Sequence, residues 1–182
     1  MNKFALSAVA LLSSLVTTQV LAADSTGFYI GGALNQTTLD DSYDSISGTG
    51  LGLYGGYNFN SWFGLESNLF GSGDLGEQGF DISVAVFNVT PKFTWQVNET
   101  FGLYAKIGLA SAAVNVSGYG IDEDFTGYGW TFGVGMNMAM TENLNLRLSY
   151  DVTEGELEAD HYDFDDFDGE IQQLAIGLHY QF

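Results

Sequence analysis

The stretch Leu174-Ala175-Ile176-Gly177-Leu178-His179-Tyr180-Gln181-Phe182 decides the fold class. Leu174, Ile176, Leu178, Tyr180 and Phe182 share one phase of the sequence. Ala175, Gly177, His179 and Gln181 share the other. A period of two puts alternate residues on opposite faces of a β-strand, so this segment reads as a strand with one continuously apolar face and one small or polar face.

The same alternation recurs upstream, in segments at about 26–35, 49–59, 63–71, 81–96, 101–117, 127–140 and 143–152. With the last stretch they make eight. Each is close to or above the roughly 9 to 11 residues a tilted strand needs to cross hydrocarbon. Tight turns are expected at Asn60-Ser61-Trp62, Asn98-Glu99 and Thr141-Glu142. Longer connections are expected at 36–48, 72–80, 118–126 and 153–170. Short and long connections therefore alternate strictly. A soluble β-sandwich or lipocalin-like barrel would also alternate, but its outer face would be charged. Here the phase opposite the apolar one is mostly Gly, Ala, Asn, Ser and Thr. The pattern predicts an all-β fold: an eight-stranded antiparallel up-and-down transmembrane β-barrel with its apolar phase turned to lipid. Tyr57, Phe59, Trp62, Trp95, Tyr180 and Phe182 fall near the turn end, with Tyr128 and Trp130 near the other, as interfacial girdles require.

Residues 1–22 read as a signal peptide rather than structure. Lys3 supplies the positive start, 4–16 the apolar run, and Val20-Leu21-Ala22 a small-residue cleavage site. Cleavage is expected after Ala22, with Ala23 the alternative, leaving 23–182 as one barrel domain. The apolar run is too short for a membrane helix. The chain has no cysteine, so thiol and disulfide chemistry is excluded, and Pro91 is its only proline beside 24 glycines. The formal net charge is −19, and beyond Lys3 the basic residues are Lys92, Lys106 and Arg147 against 23 carboxylates. A nucleic-acid partner is excluded, since phosphate binding needs clustered Lys and Arg.

On three stretches, 55–66 (GGYNFNSWFGLE), 103–109 (LYAKIGL) and the last strand, the chain resembles the small eight-stranded outer-membrane barrels of the OmpA-like and OmpX/Ail-like type. The resemblance covers nearly all of 23–182 in architecture, with motifs specific for the barrel class and degenerate for any single member. It implies a bacterial outer-membrane location and turns on the periplasmic side. It also implies that the barrel-assembly machinery reads Leu178, Tyr180 and Phe182 of the last strand as its signal. Outer-membrane lipid and lipopolysaccharide are the implied surroundings.

All three strand cations, together with Glu66 and Asp151, fall on the phase opposite the apolar one. Glu66, Lys92, Lys106 and Arg147 each lie about four or five residues from their turns, so at roughly 3.3 Å per residue they share one layer of the lumen. An eight-stranded barrel is just wide enough for side chains to fill. The expectation is an ion network that plugs the barrel, with Glu66 among three cations and Asp151 above it, facing Arg147. In the resembled family a comparable lumenal carboxylate is discussed as a gate, which makes a small channel gated around Glu66 the alternative function.

Most remaining carboxylates fall in the long connections, nine of them in 153–170 alone. Such a field attracts cations and basic partners. Next to anionic lipopolysaccharide, divalent ions are expected to screen or bridge the contact. Asp163, Asp165, Asp166 and Asp168 offer hard oxygen ligands. Their spacing misses the calcium-loop pattern, so weak screening is expected there and no specific metal site. Gly50-Leu51-Gly52-Leu53-Tyr54-Gly55 matches the dinucleotide-binding spacing, yet it lies within a strand with no helix after it; no cofactor is expected. His161 and His179 have no suitably spaced serine, so the chain is read as a non-enzyme, with lipid modification the remaining catalytic option. The function expected is envelope integrity, adhesion or another surface interaction through the acidic outer side.

Overall fold

The computed structural model describes residues 26–41, 44–73, 75, 81–118, 121–159 and 167–182. Eight strands follow one another: β1 (Gly27–Asp41), β2 (Asp44–Asn58), β3 (Phe63–Ser72), β4 (Asp81–Gln96), β5 (Phe101–Gly118), β6 (Ile121–Ala139), β7 (Leu144–Ala159) and β8 (Phe167–Gln181). They hydrogen-bond in chain order into a closed barrel, each neighbour antiparallel, and β1 pairs β8 to seal it. Closure leaves no edge, so every strand finds partners for its backbone on both sides. The segment 1–22, read as a signal peptide, lies outside the described residues.

The expected tight turns are present, each pinned by a short polar side chain. Asn60 Oδ1 accepts from the backbone N–H groups of Trp62 (3.0 Å) and Phe63 (2.8 Å). Asn98 Oδ1 accepts from Thr100 and Phe101 in the same way, and Thr141 Oγ1 accepts from Leu144 at 3.0 Å. Such side chains imitate a backbone turn, which is why they punctuate strands.

The opposite end differs from expectation. Three of the four segments read as long connections, 36–48, 118–126 and 153–170, are largely strand, whereas the connection after β3 stands, with β3 ending at Ser72 and β4 starting at Asp81. β1 runs on to Asp41 and β2 starts at Asp44; β6 starts at Ile121, β7 reaches Ala159 and β8 starts at Phe167. The acidic character of these stretches suggested loops. Backbone pairing depends on N–H and C=O groups, not on side-chain polarity, and the ladders simply continue.

What changes along the strands is the face that carries the apolar residues. Around the middle and the turn end, Phe28, Leu53, Leu69, Phe87, Leu109, Phe132 and Ile176 point outward and are exposed. The residues between them, such as Asn35, Thr37, Asn68, Asn88, Thr90 and Gln173, are buried inside. Toward the far end the order inverts. Leu75, Val84, Val86, Ala110, Ala112, Val114 and Ile171 form an apolar cluster inside the barrel, with Leu39, Ile46, Ile82, Val116 and Phe125 packed against it. Asp81, Asp124 and Glu154 are exposed on the outside of the same region.

Candidate functional site

Between the turn end and the apolar cluster lies the charged layer. Glu66 on β3 is fully buried and receives three cations. Arg147 Nη1 approaches its Oε2 at 2.7 Å, Lys106 Nζ its Oε1 at 3.1 Å, and Lys92 Nζ its Oε2 at 3.5 Å. Asp151 is also fully buried, 2.9 Å from Lys106 Nζ. The strand register explains the grouping. Lys92 stands directly opposite Lys106, a like-charged pair that is tolerable only with a carboxylate between them. Lys106 faces Gly133 across β5–β6, and Gly133 faces Asp151 across β6–β7, so the three form one row. A Cβ at Gly133 would strike both Asp151 Oδ1 and the Lys106 side chain; only glycine leaves room for the ion pair.

This row corrects one expectation: Asp151 pairs with Lys106 and not with Arg147. The two residues lie four apart on the same strand, about 13 Å along it at the usual rise. Arg147 instead donates from Nε to Asn137 Oδ1 at 3.1 Å while its Nη1 reaches Glu66.

Three buried tyrosines complete the layer, and none was singled out for this role from the sequence. Tyr29 donates its hydroxyl to Glu66 Oε2 at 2.6 Å and accepts from Lys92 Nζ. The Arg147 guanidinium lies 4.2 Å from the Tyr54 ring centre and 4.9 Å from that of Tyr104, and Lys92 Nζ lies 4.0 Å from the Tyr29 ring centre. Cations over ring faces gain most where water is excluded. The signal was available: each tyrosine has the parity of its strand's inward residues, between outward neighbours such as Phe28 and Ile30, or Leu103 and Ala105. Asn68 joins as well. With its amide nitrogen toward Glu66 Oε1 (3.2 Å) and its oxygen toward Lys106 Nζ (3.3 Å), it satisfies both groups.

Above this layer Thr153 Oγ1 bonds Thr131 Oγ1 at 3.2 Å, and the apolar cluster follows. Leu178, Tyr180 and Phe182 of the last strand are exposed on the outer apolar face. Asp163, Asp165 and Asp166 lie outside the described residues. For Asp168 only the backbone is described, paired with Glu156. Among the described residues no group of His, Asp or Glu is arranged to hold a metal ion.

Comparison with known proteins agrees with this architecture. The model of the outer membrane protein beta-barrel domain family matches residues 8–182. A 22 kDa outer membrane protein of Rhizobium leguminosarum bv. viciae is 32% identical over 171 residues, covering 84% of this chain and 76% of that protein. Among solved structures, Neisserial surface protein A superposes with a TM-score of 0.74 at 16% identity, over 86% of this chain and 98% of its own. Ail of Yersinia pestis gives 0.63 at 20% identity, over 86% and 99%. These two structures share the fold.

Proposed function

Since the chain belongs to the outer membrane protein beta-barrel domain family and resides in the bacterial outer membrane, we propose that its lumen is a closed plug and that its acidic outer surface does its work. The supporting observation is the inversion of faces. Within the apolar belt the carboxylates Glu66 and Asp151 are neutralised inside. Beyond the belt the carboxylates Asp81, Asp124 and Glu154 stand exposed on the outside of paired strands. With the short turns periplasmic, those carboxylates face the exterior. A surface of one sign draws in oppositely charged partners. The role that fits is surface interaction or adhesion with a cationic ligand, together with envelope integrity. Divalent cations would bridge the barrel to neighbouring lipopolysaccharide.

One structural neighbour offers a contrast in ligand. Ail has been crystallised with the heparin analogue sucrose octasulfate. A polyanion of that kind is repelled by an exterior of exposed carboxylates, so the ligand proposed here is of the opposite charge. The reading is non-catalytic. His179 Nδ1 lies 3.3 Å from the Tyr54 hydroxyl, a contact that serves packing of the lumen.

The alternative is a small channel gated around Glu66, favoured only by the buried ions themselves. Planar-bilayer recording separates the two. The intact barrel and its Glu66→Gln variant, both folded and inserted, are expected to be silent. Replacing Asp81, Asp124 and Glu154 by their amides is expected to weaken retention on a polycationic surface without altering conductance. Discrete openings that change with Glu66→Gln would move the function into the lumen and end the surface reading.

A further inference from the structure

The outward face of the belt is not evenly studded. An apolar groove of about 910 Å³ crosses it obliquely, from Leu146, two residues past the start of β7 at the turn end, to Gly71, one residue before the external end of β3. Its floor exposes backbone at Gly32 and Gly71, and its walls are the exposed side chains of Leu34, Leu51, Leu53 and Leu69. At its upper end Gly71 and Ala85 are shared with a second, polar cavity of about 480 Å³, whose wall includes Ser83, Asn115, Asp124 and Thr126. One continuous depression thus runs from the lipid-facing belt to the water-facing extension.

The fold itself does not require glycine on this floor. At Gly31, Gly52 and Gly133, which face the lumen, an added Cβ would run into a neighbouring side chain. At Gly71 it would meet nothing within 4 Å, and at Gly32 only ordinary contacts at 3.6 and 3.8 Å. Among the described residues only Gly27 has a positive φ, and the ladders run unbroken through Gly32 and Gly71, so neither marks a turn or a bulge. Glycine inside a strand weakens it, and the remaining reason for one is close approach by another molecule. Within the belt that molecule is apolar. The slot between the two glycines passes between Leu51 and Leu53, two residues apart on β2, or about 7 Å at the usual rise. Such a slot takes a hydrocarbon chain along its length, whereas a second barrel could fill it only with single side chains.

We propose that this depression binds one phospholipid with an ethanolamine head, an acyl chain lying in the slot and the ammonium resting on Asp124. Asp124 is the single charged residue in the wall of the polar cavity, and it is exposed. Asn115 Nδ2 donates to its Oδ1 at 2.8 Å and holds the carboxylate in place; a carboxylate accepts further bonds beyond that one. The hydroxyls of Ser83 and Thr126 can donate to the phosphate oxygens next to the ammonium. An acidic wall favours a head that ends in a cation and disfavours one that is purely anionic. The site rests on the outer-membrane location and uses Asp124, but it needs no soluble ligand, so it and the surface reading fail separately.

Native mass spectrometry of the barrel, purified from outer membranes and stripped of lipid in detergent, decides it. The probes are phosphatidylethanolamine and phosphatidylglycerol of equal chain length, and lipid A. One phosphatidylethanolamine per barrel is expected to stay bound, about tenfold tighter than phosphatidylglycerol, the effect of one charge-assisted bond. Asp124→Asn should bring the two phospholipids level. Gly71→Leu adds an outward apolar side chain in open space, so the circular dichroism of the barrel should be unchanged while the affinity for both phospholipids falls about tenfold. The proposal is overturned if neither phospholipid is retained, if both bind the wild-type barrel equally, or if lipid A is retained in preference. It is overturned equally if Gly71→Leu leaves retention intact, or if the groove pairs the barrel with a second copy that Gly71→Leu releases.

Discussion

The belt and the extension beyond it are built from the same eight strands, yet they obey opposite rules. In the belt, β2 turns Leu51 and Leu53 outward and Gly52 and Tyr54 inward. Further along the same strand Ile46 packs inside while Ser47 is exposed outside. The period of two never breaks; only its polarity flips. The cause is the solvent. Lipid tails demand an apolar exterior and leave polar groups no place but the lumen. Beyond the lipid, water reaches the outside and the hydrophobic effect drives apolar groups in. The lower half of the barrel is thus a membrane protein, and the upper half packs like a small soluble barrel set on top of it. The difference teaches that a strand's residues assign its faces, while its environment decides which face is which.

The strongest test removes the centre of the belt's interior. Glu66→Ala leaves Lys92 and Arg147 buried without a carboxylate and is expected to cost about 3–5 kcal/mol of stability, read from urea unfolding in lipid vesicles. A loss below about 1 kcal/mol, the scale of an exposed ion pair, would mean that water reaches this layer and that the lumen is not closed there.

A second pair of variants probes the outward face at two heights of one strand. Leu53→Lys, exposed to the belt's surroundings, should destabilise by roughly 2–4 kcal/mol. Ser47→Lys, six residues away on the same face, should stay within about 0.5 kcal/mol. Equal costs would show that the lipid boundary does not fall between them, and the comparison between belt and extension would collapse.

These effects separate what the sequence discloses from what it hides. Alternation made the eight strands, the tight turns after β2, β4 and β6, and the inward parity of Glu66, Lys92, Lys106, Arg147 and Asp151 readable, because all depend on local order along one strand. The far ends of β1, β2, β6, β7 and β8 were not readable: Leu39 and Ile46 keep the period with the other phase, and beside Asp40, Asp41 and Asp44 such short stretches resemble loops. Ile82 and Val116 lie within the expected strands, and there only the flip of phase was hidden. Partner choice was hidden too. That Asp151 meets Lys106 depends on cross-strand register through Gly133, which parity along a single strand does not contain. The tyrosines fall in between: parity places Tyr29, Tyr54 and Tyr104 inside, but nothing local says that they receive the cations.

The finest test addresses the border between the two interiors, where Thr131 and Thr153 bond each other below the apolar cluster. Both are buried. Changing either one alone to valine strands the partner hydroxyl in an apolar setting and should cost about 1–3 kcal/mol. Changing both removes the donor and the acceptor together and exchanges each hydroxyl for a methyl of similar size, so the double variant should lie close to wild type. The quantity to measure is the coupling energy of the double-mutant cycle from unfolding in vesicles. A coupling that restores most of the single-mutant loss means the soluble-like core can advance by one layer into the barrel, and that the border is set by matching of partners. Additive losses would mean that each threonine answers to the polar layer beneath it, so that the border is fixed by the ion cluster and the apolar cap merely rests on top.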